Sequence, residues 1–164
     1  MDKYIAINEA KVLRRDDRLE ESQDLLLSLL EEFPHDPQVL FEVGGSYDVM
    51  GLEPDAIPYY ERAIQQGLEG TDLQECLVCL GSSYRVVGDS KEAVDILEDA
   101  VEQFPENNSS KVFLALAYYS NNQEEDAVRT LLELLLTTTK DENILAYADP
   151  LDYYKDNLDE IWED

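Results

Sequence analysis

Cys76 and Cys79 stand three apart, the spacing used by dithiol redox centres and by half of a zinc site. Redox use needs a thiol whose pKa is lowered, for instance at a helix N-terminus. The run Gln74-Glu75-Cys76-Leu77-Val78-Cys79-Leu80 reads instead as a helix interior, with no helix start between the two thiols. A structural zinc needs four ligands, and the chain has no second cysteine pair and a single, remote His. Both cysteines are therefore expected to pack in a core, where free Cys behaves as a small hydrophobe. His35 sits in the turn Phe33-Pro34-His35-Asp36-Pro37, with neither a nucleophile nor an orienting group beside it. Runs of carboxylates such as Glu124-Glu125-Asp126 fall where helices begin, and acids there complement the helix dipole. No catalytic, metal or cofactor-binding residue is assigned, and no enzyme is expected.

The elements that hold these residues come from a chain of 164 residues, long enough for one domain or one short stack of repeats. Hydrophobic residues make up 44% of it, enough to bury a core. Acidic residues number 38 against 12 Lys and Arg, a formal net charge of −26. A phosphate backbone or an anionic membrane would be repelled, so neither is expected as a partner. Basic proteins would be steered toward the surface, although the simplest use of the charge is to keep an exposed helical stack soluble. Apolar runs such as Leu134 to Leu136 are far shorter than the roughly 20 residues of a membrane span. The first residues lack the basic-then-apolar layout of a signal peptide, so a cytoplasmic address is expected.

The chain is self-similar. Ala10, Gly44, Gly81 and Ala115 are small, and each is followed three residues later by Leu13, Tyr47, Tyr84 or Tyr118. Seven positions beyond each small residue stand the turn formers Asp17, Gly51, Gly88 and Asn122. Five further on are Ser22, Ala56, Ala93 and Ala127, small again, each opening an apolar stripe of helical spacing such as Ala93, Val94, Leu97, Ala100 and Val101. The steps are 34, 37 and 34 residues, the middle one lengthened around Gly67 to Thr71. Small residues let two helices cross closely, and the turn former reverses the chain. A single pair cannot bury its apolar face, so pairs must stack. This is the tetratricopeptide pattern. It predicts an all-α, right-handed superhelix of about four helix-turn-helix repeats in a single domain over 1–164. The repeats are expected at 3–36, 37–70, 74–107 and 108–141, the first and last degenerate, with capping helices over 142–164. In that last segment Asp149-Pro150 is expected to start a helix carrying Leu151, Tyr154, Leu158, Ile161 and Trp162 on one face.

Longer stretches resemble a particular family: Tyr47-Asp48 before Gly51, Ile57-Pro58-Tyr59-Tyr60-Glu61-Arg62-Ala63, Gly67-Leu68, Leu80-Gly81-Ser82-Ser83-Tyr84-Arg85 and Val112-Phe113-Leu114-Ala115-Leu116. They look like the small bacterial proteins grouped as the tetratricopeptide repeat 5 family. The resemblance implies the fold and favours a homodimer. It says little about function, since architecture defines the family. Ala117 and Asn122 depart from its Gly-rich pattern in the last repeat.

In this repeat the first helix of each pair faces a concave groove. The register assigns to that groove Tyr4, Ile7, Lys11, Arg14 and Arg15, then Gln38, Phe41, Gly45, Asp48 and Val49. Glu75, Val78, Ser82, Arg85 and Val86 follow, and then Ser109, Val112, Leu116 and Tyr119. The residues expected to touch a ligand are Phe41, Asp48, Val78, Ser82, Arg85, Val112, Leu116 and Tyr119, with Asp48 and Arg85 paired across adjacent repeats. A chaperone-peptide clamp of the kind known in this fold would need cationic or amide side chains at Ile7, Lys11, Glu42, Glu75 and Cys79; only Lys11 qualifies. The expected function is a protein- or peptide-binding scaffold whose partner is unidentified. The alternatives are a self-associating homodimeric module, its groove filled by its own C-terminal helix or a twin subunit, or a small client-specific chaperone.

Overall fold

At all four turn positions the backbone enters the left-handed region, with φ of 60° at Asp17, 74° at Gly51, 95° at Gly88 and 58° at Asn122. The computed structural model describes residues 1–163 and closes these turns by one repeated device. The turn residue donates its N–H to the carbonyl three before it, and the next residue donates to the carbonyl five before itself. These bonds run Asp17 to Arg14 and Arg18 to Leu13, Gly51 to Asp48 and Leu52 to Tyr47, Gly88 to Arg85 and Asp89 to Tyr84, and Asn122 to Tyr119 and Gln123 to Tyr118. This Schellman closure satisfies the carbonyls that a helix end leaves orphaned. Asn122 adopts it as the glycines do, so the departure from glycine in the last repeat leaves the turn unchanged.

The described residues form helices and turns without strands, in two compact units, the first over 1–89 and the second from Ser90 onward. In the N-terminal unit the helices are α1 (Lys3–Arg15), α2 (Leu19–Glu32), α3 (Pro37–Val49), α4 (Glu53–Gln65) and α5 (Gly70–Val86). The Asp2 and Asp36 side chains cap α1 and α3, and Pro37 occupies the first turn of α3, where its missing N–H costs nothing. By contrast α2 and α4 start directly from a Schellman turn, with no side-chain cap. The three extra residues of the middle repeat become an added turn at the start of α5, reached through Gly67 and Gly70, whose φ values are 89° and 66°.

The small positions do what their size permits. Ala10 and Ser22 are buried at the α1–α2 crossing, where the Ser22 hydroxyl donates to the Ala10 carbonyl at 2.7 Å. Gly44 and Ala56 are buried at the α3–α4 crossing. Around the first crossing Ile7, Leu26, Leu29, Val39 and Val43 pack as one cluster, flanked by Phe33 and Tyr47.

The C-terminal unit comprises α6 (Ser90–Gln103), α7 (Asn108–Ser120), α8 (Glu124–Thr138), the single turn α9 (Glu142–Leu145) and α10 (Ala148–Tyr154). Asn107 caps α7, and Asp141 caps α9. Ala93, Ala115, Ala117 and Ala127 are buried, as small residues at helix crossings should be. One motif recurs in both units. The Tyr84 hydroxyl donates to Glu61 on the preceding helix, and the Tyr118 hydroxyl does the same to Glu98 at 2.8 Å.

The end of the chain departs from expectation. The predicted terminal helix stops at Tyr154, and its N-cap is Tyr147, which leaves Asp149-Pro150 inside the first turn. Leu158, Ile161 and Trp162 lie outside any helix, the last two 83% and 78% exposed. The local chemistry explains the stop. Asn157 donates its side-chain amide to the Tyr153 carbonyl at 2.9 Å, and the backbone N–H groups of Asp156 and Asn157 close short bonds to Tyr153 and Tyr154. Asp and Asn compete for backbone groups in this way and are poor helix formers. Asp164 lies outside the described residues.

Candidate functional site

The N-terminal unit carries a cleft of about 740 Å³. One wall is α1, through Asn8, Lys11, Val12, Arg14 and Arg15, and the other is α3, through Phe41, Glu42, Gly45, Asp48 and Val49. Tyr60 from α4 and Glu75 and Cys79 from α5 complete it.

Its centre is Glu42, a carboxylate only 3% exposed. Lys11 Nζ approaches it at 2.9 Å and Arg14 Nη2 at 3.4 Å, so two α1 cations neutralise one buried α3 anion. Arg14 Nη2 also reaches the Glu42 carbonyl at 3.4 Å, while its Nε is buried without a partner. That guanidinium packs over Gly45, where a Cβ would meet it in ordinary contact at 3.5 Å. About one and a half helical turns further along α3, the half-buried Asp48 accepts a hydrogen bond from the Tyr60 hydroxyl at 2.8 Å. Burial pushes the Asp48 carboxyl above its usual range, although the Tyr60 hydroxyl pulls the other way. Tyr60 is raised in turn, first by burial. Phe41 packs beside it, ring centroids 6.1 Å apart.

The thiols are chemically quiet. Burial pushes Cys76 up to about 12 and Cys79 up to about 11, so both are protonated near neutrality. Cys76 is fully buried, its Sγ 3.7 Å from the Tyr60 carbonyl. Among the described residues no three His, Cys, Asp or Glu side chains gather as a metal site would require. His35 is exposed in its turn.

Of the residues assigned to the groove, Phe41 and Asp48 line the cleft, with Phe41 only 8% exposed and forming floor rather than rim. Val78, Ser82 and Arg85, half-buried on α5, do not line it. The expected Asp48–Arg85 pair is absent among the described residues: Asp48 is engaged by Tyr60, and the Arg85 Nε is buried without a hydrogen-bond partner. The ion pairs that tie neighbouring first helices run from α1 to α3 through Glu42 instead. Ile7 was assigned to the groove and is core, 2% exposed. Asn8 and Val12 take the cleft-facing places. Their spacing of four from each other, with Asn8 three from Lys11 and Val12 three from Arg15, was the available signal. The clamp positions do not form a receptor, since Lys11 and Glu42 bind each other and Ile7 is buried.

In the C-terminal unit Val112, Leu116 and Tyr119 form one stripe along α7, exposed by 39%, 41% and 68%. No described helix is long and apolar enough to cross a membrane.

Comparison with known proteins agrees with this architecture. The family profile described as "Tetratrico peptide repeat" matches residues 37–151. No curated protein sequence matches the chain. Among solved structures, MamA from Desulfovibrio magneticus is 18% identical over 96% of this chain and 88% of that one, with a TM-score of 0.75. A putative kinesin light chain with nearly identical tetratricopeptide-like repeats from Podospora anserina is 19% identical over 97% and 90%, with a TM-score of 0.73. A tetratricopeptide repeat protein from Parabacteroides merdae is 18% identical with a TM-score of 0.74, and the 94% of this chain that aligns spans 59% of its length. At these identities the likeness is one of fold. Four turns closed alike, small residues at the helix crossings and a family profile spanning well over half of the residues place the chain in the tetratricopeptide repeat family, in the group designated tetratricopeptide repeat 5.

Proposed function

We propose that this chain is a non-catalytic scaffold that binds a protein or peptide, and that the ligand of the N-terminal unit lies in the α1–α3–α5 cleft. The observation that carries this reading is how the cleft divides its side chains. Its inner carboxylates are already engaged, Glu42 by Lys11 and Arg14 and Asp48 by Tyr60. Its outer side chains stay open, Val12 44% and Val49 48% exposed beside Arg15. Engaged carboxylates leave the floor without a free anion, and exposed apolar side chains in a concavity invite cover.

The α7 stripe of Val112, Leu116 and Tyr119 and, separately, the half-buried α5 residues Val78, Ser82 and Arg85 are proposed as further ligand contacts. The net charge of −26 disfavours nucleic acid and anionic membrane as partners, and a cytoplasmic address is proposed.

The test starts with full-length protein carrying a photo-crosslinking residue at Val12, exposed to native lysate. The captured protein is then made recombinantly, and its affinity is measured for wild type, Arg15→Glu and Val49→Asp. At least a tenfold loss in both variants is expected; unchanged affinity in both excludes the cleft. Light scattering that shows a dimer dissociated by the same variants would assign the cleft to a twin subunit instead.

A further inference from the structure

Helix α8 is built like a buried helix and is not buried. Val128, Leu131, Leu132, Leu134, Leu135 and Leu136 give it an apolar content like that of α2, which buries Leu26 and Leu29. Yet Ala127 is its sole buried residue among those described, whereas the second helices α2, α4 and α6 bury three, three and four. Val128, Leu131 and Leu135 stand 42%, 45% and 39% exposed at a spacing of three and four, one stripe along two turns.

The segments that follow do not cover this stripe. They attach to α8 through Arg129, paired with Asp156 at 2.9 Å, and through Glu133, which Lys155 approaches at 3.8 Å. Each lies two residues from Leu131, about 160° from it around the helix. The tail beyond α10 keeps Ile161 and Trp162 in solvent.

The end of the stripe carries a charge problem. Glu124 and Glu125 open α8, and the neighbouring Asp159 carboxyl pushes the Glu125 carboxyl above its ordinary value. A cation placed there would relieve the repulsion. Both nearby cations, Arg129 and Lys155, already have carboxylate partners.

We propose that the Val128–Leu131–Leu135 face of α8 docks an amphipathic helix of another protein, one that presents an apolar stripe and a Lys or Arg against Glu124, Glu125 and Asp159. In a repeat stack the face of a second helix is covered by the next helix, so a helix is the shape that fits. The acid end selects a basic one, and the charge of −26 makes a second copy of this chain the wrong complement. The site is separate from the cleft and stands or falls without it.

The experiment uses the full chain and two synthetic 18-residue helical peptides, identical in their Leu stripe, one with Lys and one with Glu on the flanks. Wild type is expected to bind the Lys peptide at least tenfold tighter than the Glu peptide. Leu131→Asp with Leu135→Asp, both exposed positions, should lose at least tenfold for the Lys peptide while the circular dichroism melt is unchanged. Arg15→Glu in the cleft should bind as wild type does. Equal Lys-peptide affinity in wild type and the double Asp variant would overturn the proposal, because attraction to the acidic surface at large would then explain binding. Absence of binding overturns it as well, as does a wild-type dimer that the double Asp variant dissociates.

Discussion

The ring of Tyr60 lies against Gly44 so closely that a Cβ on residue 44 would fall 2.7 Å from its Cδ1 and Cε1. Tyr60 is 1% exposed and held by its hydroxyl to Asp48, so the ring cannot swing aside. Gly44→Ala gains up to ~1 kcal/mol of helix propensity. Overpacking of this kind costs about 1–3 kcal/mol, and Gly44→Leu should cost more. Both variants should therefore unfold at lower denaturant, with Tyr60→Leu partly rescuing Gly44→Ala; a wild-type midpoint for Gly44→Leu would contradict the crossing described.

Glu42 joins α1 to α3 through two cations. Glu42→Gln keeps the shape and removes the charge, leaving Lys11 and Arg14 without an anion. Breaking a fully buried pair costs about 3–5 kcal/mol, but the Lys11 side chain is 44% exposed and the Arg14 side chain 26%, so solvent screens part of the loss. A destabilisation of about 1–2 kcal/mol is expected after that discount. Equilibrium urea unfolding measures it. Lys11→Met should cost less than Glu42→Gln, because Arg14 would still hold the carboxylate.

The thiols set a pH dependence. Their folded pKa values, about 12 for Cys76 and about 11 for Cys79, lie above those of free cysteine. The unfolded chain therefore loses these protons first as pH rises, and the stability they contribute, complete below the unfolded pKa, is lost between about 8.5 and the folded values. Denaturation midpoints should fall from pH 9 to pH 11, and the fall should be smaller in the Cys76→Ala, Cys79→Ala double variant. Iodoacetamide at pH 8 should label native protein slowly and urea-unfolded protein quickly.

Asp17 and Asn122 occupy left-handed positions where Gly51 and Gly88 serve without strain. A non-glycine residue there costs about 1 kcal/mol, less for Asp and Asn, whose side chains bond locally. Asp17→Gly and Asn122→Gly should each be neutral or raise stability by up to ~1 kcal/mol, whereas Gly88→Val should lower it by more than that. Thermal melts of the three variants decide the sign.

Helix positions, turn residues and small crossing residues were legible in the sequence because each rests on contacts a few residues long. The bonds that close the turn at Gly51 span three and five residues, and Asp36 with Pro37 starts α3 within one turn. Spacing alone marked Ala10 with Ser22, and Gly44 with Ala56, as places of close approach. Which side chains share the cleft was a different matter. Neighbouring positions on a helix differ by 100°, so an assignment one residue out exchanges core for cleft, as it did for Ile7 and Asn8. The choice of Tyr60 over Arg85 as the partner of Asp48, and of Glu42 as the shared anion of Lys11 and Arg14, depends on how three helices are rotated against one another. Packing across 12 to 31 residues of sequence sets that rotation, and no local spacing encodes it. The exposed face of α8 belongs to the same class: leucine content marks it for burial, and only the tertiary structure shows it left open.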